Sequence, residues 1–255
     1  MRLLLPYLRD DLTDDDLDEV YAWPGWPEPL PWLRANMVAT ADGSARSPGG
    51  LSEGISSRGD KRVFGRLRAF ADVVLAGAGT ARAEGYRPAK VKPGAAERRA
   101  AAGQAPVPAI ALVTRSLHLD LASPLFTEPL VPTIVITSAS SDPDRRAQVA
   151  RVADVVVAGD QEIDLRVALA VLHERGLVRV HGEGGPHLLG DLAAAGVLDE
   201  LLLTVSPLLA GGSYADGTDI YRVLAGGPVP DAPQKLALHH VLEDDGSLFL
   251  SYRRP

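Results

Sequence analysis

Val73-Val74-Leu75-Ala76-Gly77-Ala78-Gly79-Thr80 reads as a buried strand that runs into a glycine turn and the start of a helix. The apolar run is too short for a helix and suits a strand covered on both faces, and glycine lets the chain reverse tightly behind it. Working outward from this unit, the chain repeats the pattern. Short β-rich runs near 33–40, 72–77, 108–114, 132–137, 154–158, 178–182, 199–206, 235–242 and 247–253 alternate with helical spacing from Leu33 onward. Such alternation is the mark of an α/β protein with a mainly parallel sheet of eight or nine strands flanked by helices. Core-facing helices are expected over Ser57 to Phe70, 164–175 and 186–195, where leucines, valines and alanines recur at three- and four-residue intervals. Asp245-Gly246 between the last two strands predicts a C-terminal antiparallel hairpin, because both residues tolerate positive φ.

The first thirty residues differ. Thr13-Asp14-Asp15-Asp16 offers an N-cap with acids in the first helical turn, and Trp23-Pro24-Gly25-Trp26-Pro27-Glu28-Pro29 bars regular structure. We therefore expect an N-terminal extension over 1–31 and a single domain over 32–255. Residues 88–107, with Pro88, Pro93, Pro106 and the adjoining Pro108 around an alanine- and arginine-rich stretch, read as a long surface connection with a helical turn or two.

Composition narrows the chemistry. The chain has 255 residues, a net charge of −7 and no cysteine, which removes disulfides, thiolate nucleophiles, iron–sulfur clusters and sulfur-bound zinc. No basic cluster interleaved with aromatics suggests nucleic acid as a partner, and no apolar run suggests a membrane. The expected location is the cytoplasm. The six histidines match no metal-binding spacing and no Gly-x-Ser-x-Gly elbow occurs, so neither a metal site nor a serine hydrolase is expected.

Chemistry must then rest on oxygen and nitrogen groups or on a bound cofactor. Gly77, Gly79 and Thr80 would expose backbone amides at a helix N-terminus, where phosphate or a polar ribose binds, although the same turn could serve structure alone. A second opening is His181-Gly182-Glu183-Gly184-Gly185-Pro186, with proline suited to the first helical position. Thr114-Arg115-Ser116 follows a third strand and could donate to an anchored phosphate. Neither glycine segment matches the G-x-G-x-x-G fingerprint, since Arg82 stands where its last glycine would fall.

Several landmarks stand in order: Met37-Val38-Ala39-Thr40-Ala41-Asp42-Gly43, Ser56-Ser57-Arg58-Gly59-Asp60, Leu67-Arg68-Ala69, Ala71 to Thr80, Gly182 to Pro186 and Asp199-Glu200-Leu201. With these, the chain from about Trp32 to Arg253 resembles the C-terminal reductase domain of bifunctional riboflavin-biosynthesis deaminase/reductases, on a dihydrofolate reductase-like fold. The resemblance implies NADPH-dependent reduction of a ribosylamino-pyrimidine, of the 5-amino-6-(5-phosphoribosylamino)uracil type, by hydride transfer to the opened sugar imine. It implies that Gly77, Gly79, Thr80, Gly182, Glu183, Gly184 and Gly185 hold the cofactor, with Thr114, Arg115 and Ser116 at its 2′-phosphate. It also implies a cis Gly184–Gly185 peptide, substrate contacts from Asn36, Asp42, Ser56, Ser57 and Glu84, and a homodimer. No catalytic acid or base is nominated. Asn36 departs from the family's lysine and Glu84-Gly85-Tyr86 from its Asp-Asp/Asn-Pro stretch, so a pterin reductase on the same scaffold is the alternative substrate reading. A non-catalytic NADPH-binding protein is the alternative from another class. The deaminase half, whose zinc needs cysteines, has no counterpart here.

Overall fold

The computed structural model describes residues 1–25, 30–91, 94–211, 222–226 and 233–255. The elements begin with β1 (Arg2–Leu5), α1 (Asp14–Val20), β2 (Trp32–Thr40), α2 (Arg58–Phe70), β3 (Val73–Gly77), α3 (Ala78–Ala83), α4 (Ala95–Ala101), β4 (Ala109–Val113) and α5 (Pro124–Thr127). They continue with β5 (Ile134–Thr137), α6 (Pro143–Val149), β6 (Asp154–Val157), α7 (Leu165–Glu174), β7 (Arg179–Gly182), α8 (Pro186–Ala194), β8 (Glu200–Ser206), β9 (Ala237–Asp244) and β10 (Ser247–Arg253). All nine strands expected from the sequence are present, and the class is α/β. The barrier expected over Trp23–Pro29 falls partly on Trp26–Pro29, outside the described residues, as does Pro93 of the long connection.

Two compact units make up the chain. One comprises Met1–Pro24, Leu33–Leu67 and Gly184–Pro255; the other comprises Gly25–Trp32 and Arg68–Glu183.

In the first unit the strand order is β1-β9-β10-β8-β2. Only β2 and β8 run parallel, and the other neighbours are antiparallel. The β9–β10 hairpin turns at Asp245 and Gly246, both at positive φ, as their sequence requires. Thr13 and Asp16 cap α1 reciprocally, and three acids occupy its first turn, which satisfies free amides and complements the positive helix end. This helix drives Leu17 and Tyr21 into a core with Val63 and Leu67 of α2 and with Leu202, Leu242 and Phe249 of the sheet. Arg62 and Arg66 of α2 bind Asp14 and Asp18 of α1. The opposite sheet face packs Ala35, Met37 and Leu201 against Leu189 of α8.

The second unit is a wholly parallel sheet, β7-β3-β4-β5-β6. Val74, Ala76, Ile110, Leu112 and Val135 supply its central core, closed by Leu117, Phe126 and Val149. Within the connection over 88–107, α4 carries a buried cation that holds a helix end. Arg99, 2% exposed, donates to the carbonyls of Ala69 at 2.9 Å, Ala71 at 2.7 Å and Ala105 at 2.8 Å. Gln104 adds the carbonyl of Phe70 at 3.0 Å. The carbonyls at the C-terminus of α2, which lack partners within the helix, are thereby satisfied.

Candidate functional site

In the second unit the parallel register sets three candidate segments side by side. Gly77 pairs with Val113, so the turn after β3 lies beside Thr114, and Leu75 pairs with Gly182 at the end of β7. The carboxyl ends of adjacent parallel strands are where open α/β sheets bind ligands. Gly77 is the N-cap of α3 and provides no side-chain cap, and the first amides of a helix are where an anionic ligand is held. Gly79 is exposed, and a Cβ added there would meet nothing within 4 Å. The fold itself gives no packing reason for glycine inside this helix, where it costs about 1 kcal/mol relative to alanine. Open space over the start of this helix fits a phosphate-bearing ligand.

The hydroxyl loop is less open. Thr114 is buried, and its Oγ1 accepts the N–H of Leu117 at 3.1 Å. Ser116 Oγ accepts the N–H of His118 at 3.4 Å. Arg115 is exposed and pairs with Glu162 at 2.6 Å, so an anion approaching Arg115 would compete with a solvated carboxylate.

Glu183 has a buried side chain whose carboxylate is engaged within the protein. Arg68 donates to it in a fork, Nε to Oε1 at 2.7 Å and Nη2 to Oε2 at 2.5 Å. The Tyr86 hydroxyl donates to Oε2 at 2.6 Å, and the Arg68 guanidinium lies 5.3 Å from the centre of the Tyr86 ring. Burial pulls Arg68 down, but the charge and hydrogen bonds of Glu183 more than offset it and leave the guanidinium raised. Burial, and then the Glu183 carboxylate, hold the Tyr86 phenol well above its ordinary range, so it stays a donor. The Glu183 backbone N–H donates to Leu75 at 2.9 Å, which fixes this residue in register with β3.

In the first unit, the Gly184–Gly185 peptide is cis and Gly184 has φ +82°. A Cβ at Gly184 would lie 2.8 Å from the Met37 sulfur, so here the fold does demand glycine. Gly185 is the N-cap of α8, again with no side-chain cap, and Pro186 opens the helix.

The substrate-side candidates in this unit divide. Ala35 and Met37 pack with Leu189, so Asn36 projects to the opposite face, where its register partner Leu202 packs with α2. At the start of α2, Ser56 donates to Asp60 at 2.5 Å and Ser57 accepts the Asp60 N–H at 3.1 Å. Asp60 in turn accepts from Thr204 of β8 at 2.6 Å. Asn36, Ser56 and Ser57 thus belong to one side of this sheet. Asp42 lies in the turn after β2, where its carboxylate accepts from the Thr40 hydroxyl and from the amides of Ala210 and Gly211, the latter at 2.7 Å. Those bonds, Thr40's first, hold its carboxyl below the usual range. In the second unit, Glu84 is the exposed C-cap residue of α3, two residues before Tyr86.

Sequence reasoning quoted Arg68 and Tyr86 without giving either a role, and it passed over Asp60 and Thr204 as hydrogen-bond partners. Arginine beside a core-facing leucine at a helix end was the available signal, but its partner lies 115 residues away. Among the described residues, no group of three or more histidine, aspartate and glutamate side chains could hold a metal ion. No helix among them is long and apolar enough to cross a membrane.

A parallel sheet whose neighbouring strand ends carry a glycine turn, an uncapped helix start and a hydroxyl loop defines the class: a nucleotide-binding α/β protein. Over residues 31–243 the chain matches the RibD C-terminal domain, and it belongs to that family. It is 31% identical over 185 residues to the 2,5-diamino-6-ribosylamino-4(3H)-pyrimidinone 5′-phosphate reductase of Methanothermobacter thermautotrophicus, covering 72% of this chain and 82% of that one. To the protein of the same description from Archaeoglobus fulgidus it is 28% identical over 182 residues, 71% of this chain and 83% of that one. A pyrimidine reductase-like protein from Corynebacterium diphtheriae superimposes with a TM-score of 0.77 at 26% identity, covering 95% of this chain and 98% of that one.

Proposed function

We propose that this chain is a nicotinamide-dependent reductase of a ribosylamino-pyrimidine 5′-phosphate in riboflavin biosynthesis, with NADPH as its reductant. The observation that carries the reading is the join of family membership over residues 31–243 with an uncapped glycine turn at adjacent parallel strand ends. The two archaeal relatives are named for the 2,5-diamino-pyrimidinone substrate, so that compound leads and the 5-amino-uracil counterpart is the comparison.

When bound, the cofactor supplies the hydride. The protein's part is to bind and orient. The amides opening α3, at Gly77, Gly79 and Thr80, with Gly182 behind them, suit the pyrophosphate and its ribose. Arg115, set between Thr114 and Ser116, suits the 2′-phosphate once released from Glu162. Gly184 and Gly185, having no side chains, let an anionic or polar ligand approach the start of α8 closely. On the substrate side, Asn36, Ser56 and Ser57 offer neutral donors and acceptors. Asp42, held ionised by its hydrogen bonds, serves as an acceptor rather than an acid, and Glu84 is placed to accept from a pyrimidine amide or a sugar hydroxyl. We further infer a cytoplasmic homodimer.

The test is to incubate the protein with NADPH or NADH and each ribosylamino-pyrimidine phosphate, following loss of nicotinamide absorbance. Turnover is expected with NADPH and the diamino-pyrimidinone. Binding of NADPH without oxidation in the presence of either pyrimidine, or with dihydrofolate alone as acceptor, would overturn the assignment.

A further inference from the structure

Glu183 poses an electrostatic problem. It places a buried carboxylate immediately after β7, at a strand end beside the turn assigned to the cofactor's pyrophosphate, where an uncompensated negative charge would repel the ligand. The buried His181 ring lies 3.6 Å from Oε1, and hydrogen-bonded partners reach the carboxylate from two directions. Arg68 reaches it from the last turn of α2, as a two-pronged partner at 2.7 and 2.5 Å. Tyr86 reaches it from the segment following α3, at 2.6 Å. Each of these partners is anchored in turn. Arg99 and Gln104 hold the carbonyls at the end of α2, and the Tyr86 backbone N–H donates to Ala81 of α3 at 2.8 Å. One carboxylate therefore ties the end of β7 to the end of α2 and to the exit of α3, the helix whose start forms the opening.

We propose that Arg68 and Tyr86 are positioning residues for cofactor binding: they neutralise Glu183 and lock it, so that the adjoining backbone meets an anionic ligand without a competing negative charge. Arg68 supplies the charge and the planar fork, and Tyr86 fills the remaining acceptor site on Oε2. The inference rests on the cofactor reading above. It adds that reading's electrostatic condition.

The experiment measures NADPH dissociation constants by fluorescence titration of the full chain, with urea unfolding run beside each variant. Arg68→Met should weaken NADPH by roughly 10-fold or more, the scale expected for one uncompensated charge near a phosphate. Arg68→Met with Glu183→Gln should recover most of that loss, because the double variant has no bare carboxylate. Glu183→Gln alone should bind NADPH as well as the unaltered chain or better, even though its stability falls. Tyr86→Phe should weaken binding by about 3-fold, the share of one hydrogen bond of modest net worth. A role confined to holding the fold predicts the contrary: affinity would follow stability in every variant, and the double variant would be no better than Arg68→Met. That result, or Arg68→Met binding normally, overturns the inference alone. Should Arg68→Met fail to fold, Glu183→Gln decides, and a loss of affinity there overturns it. An unaltered chain that does not bind NADPH overturns the cofactor reading and this inference together.

Discussion

Replacing Gly184 by alanine tests whether the second glycine opening is built for backbone geometry. The native φ of +82° lies where an L-residue pays roughly 1–2 kcal/mol. The new Cβ would sit 2.8 Å from the Met37 sulfur, with the terminal methyl at 3.5 Å, so the Met37 side chain, 8% exposed, must shift. Methionine is adaptable, and about 1 kcal/mol for that shift gives a total of roughly 2–3 kcal/mol. Urea unfolding should show this as a lower midpoint with an unchanged slope. The two contributions separate in a cycle with Met37→Ala: the contact part should vanish in the double variant while the backbone part remains. Cofactor affinity, measured on variant chains still folded, should fall as well, since Gly184 immediately precedes the N-cap of α8. A Gly184→Ala chain with the parent's midpoint, or a cycle with no coupling between 184 and 37, refutes the reasoning.

Arg115→Ala should weaken NADPH by roughly 10- to 150-fold, the worth of a hydrogen bond to a charged group, while leaving NADH nearly unchanged; equal losses in parallel titrations would remove Arg115 from the 2′-phosphate. Glu84→Gln should lower kcat/KM by a similar factor with NADPH affinity intact, whereas loss of cofactor affinity alone would move Glu84 to the cofactor's side. His240, 2% exposed and lowered by burial from 6.5 to about 3, stays neutral in the fold while the unfolded chain takes up a proton. Stability should therefore be complete above pH 6.5 and decline by up to about 1.4 kcal/mol per unit as pH falls from 6.5 towards 3. His240→Phe should flatten that slope in urea midpoints, and an unchanged slope would show that other groups set it.

Much of the fold was legible because its signals are local. The parallel strands of the second unit are covered on both faces, so β3, β4 and β5 appear as near-continuous apolar runs. Asp245-Gly246 announces its hairpin through the φ values that those residues tolerate. The strand over Arg2–Leu5 escaped, because it turns only Leu3 inward and takes its pairing from β9, more than 230 residues away. The α6 helix left a readable trace in Asp142-Pro143, a cap followed by proline at the first position. The four residues of α5 span too little for any period.

The site was legible in a different proportion, and Glu183 shows why. Glycine advertises an opening by its own chemistry, so Gly77, Gly79, Gly184 and Gly185 stand out from sequence without knowledge of their neighbours. A carboxylate does not carry its meaning in this way. Beside two glycines, Glu183 reads as a ligand contact, yet its side chain faces Arg68 and Tyr86, which lie 115 and 97 positions away. Those distances are spanned only by a β7–β3 register that fixes Leu75 against Gly182. Arg99 follows the same logic: within an alanine- and arginine-rich connection it looks solvated, and only the end of α2, about 30 residues earlier, makes it a buried cap. Charged residues near an opening therefore gain their roles from tertiary pairing. The measurement that separates a ligand contact from an internal counterion is the double substitution of Arg68 and Glu183: an internal counterion predicts that removing both charges restores affinity, and a ligand contact predicts a further loss.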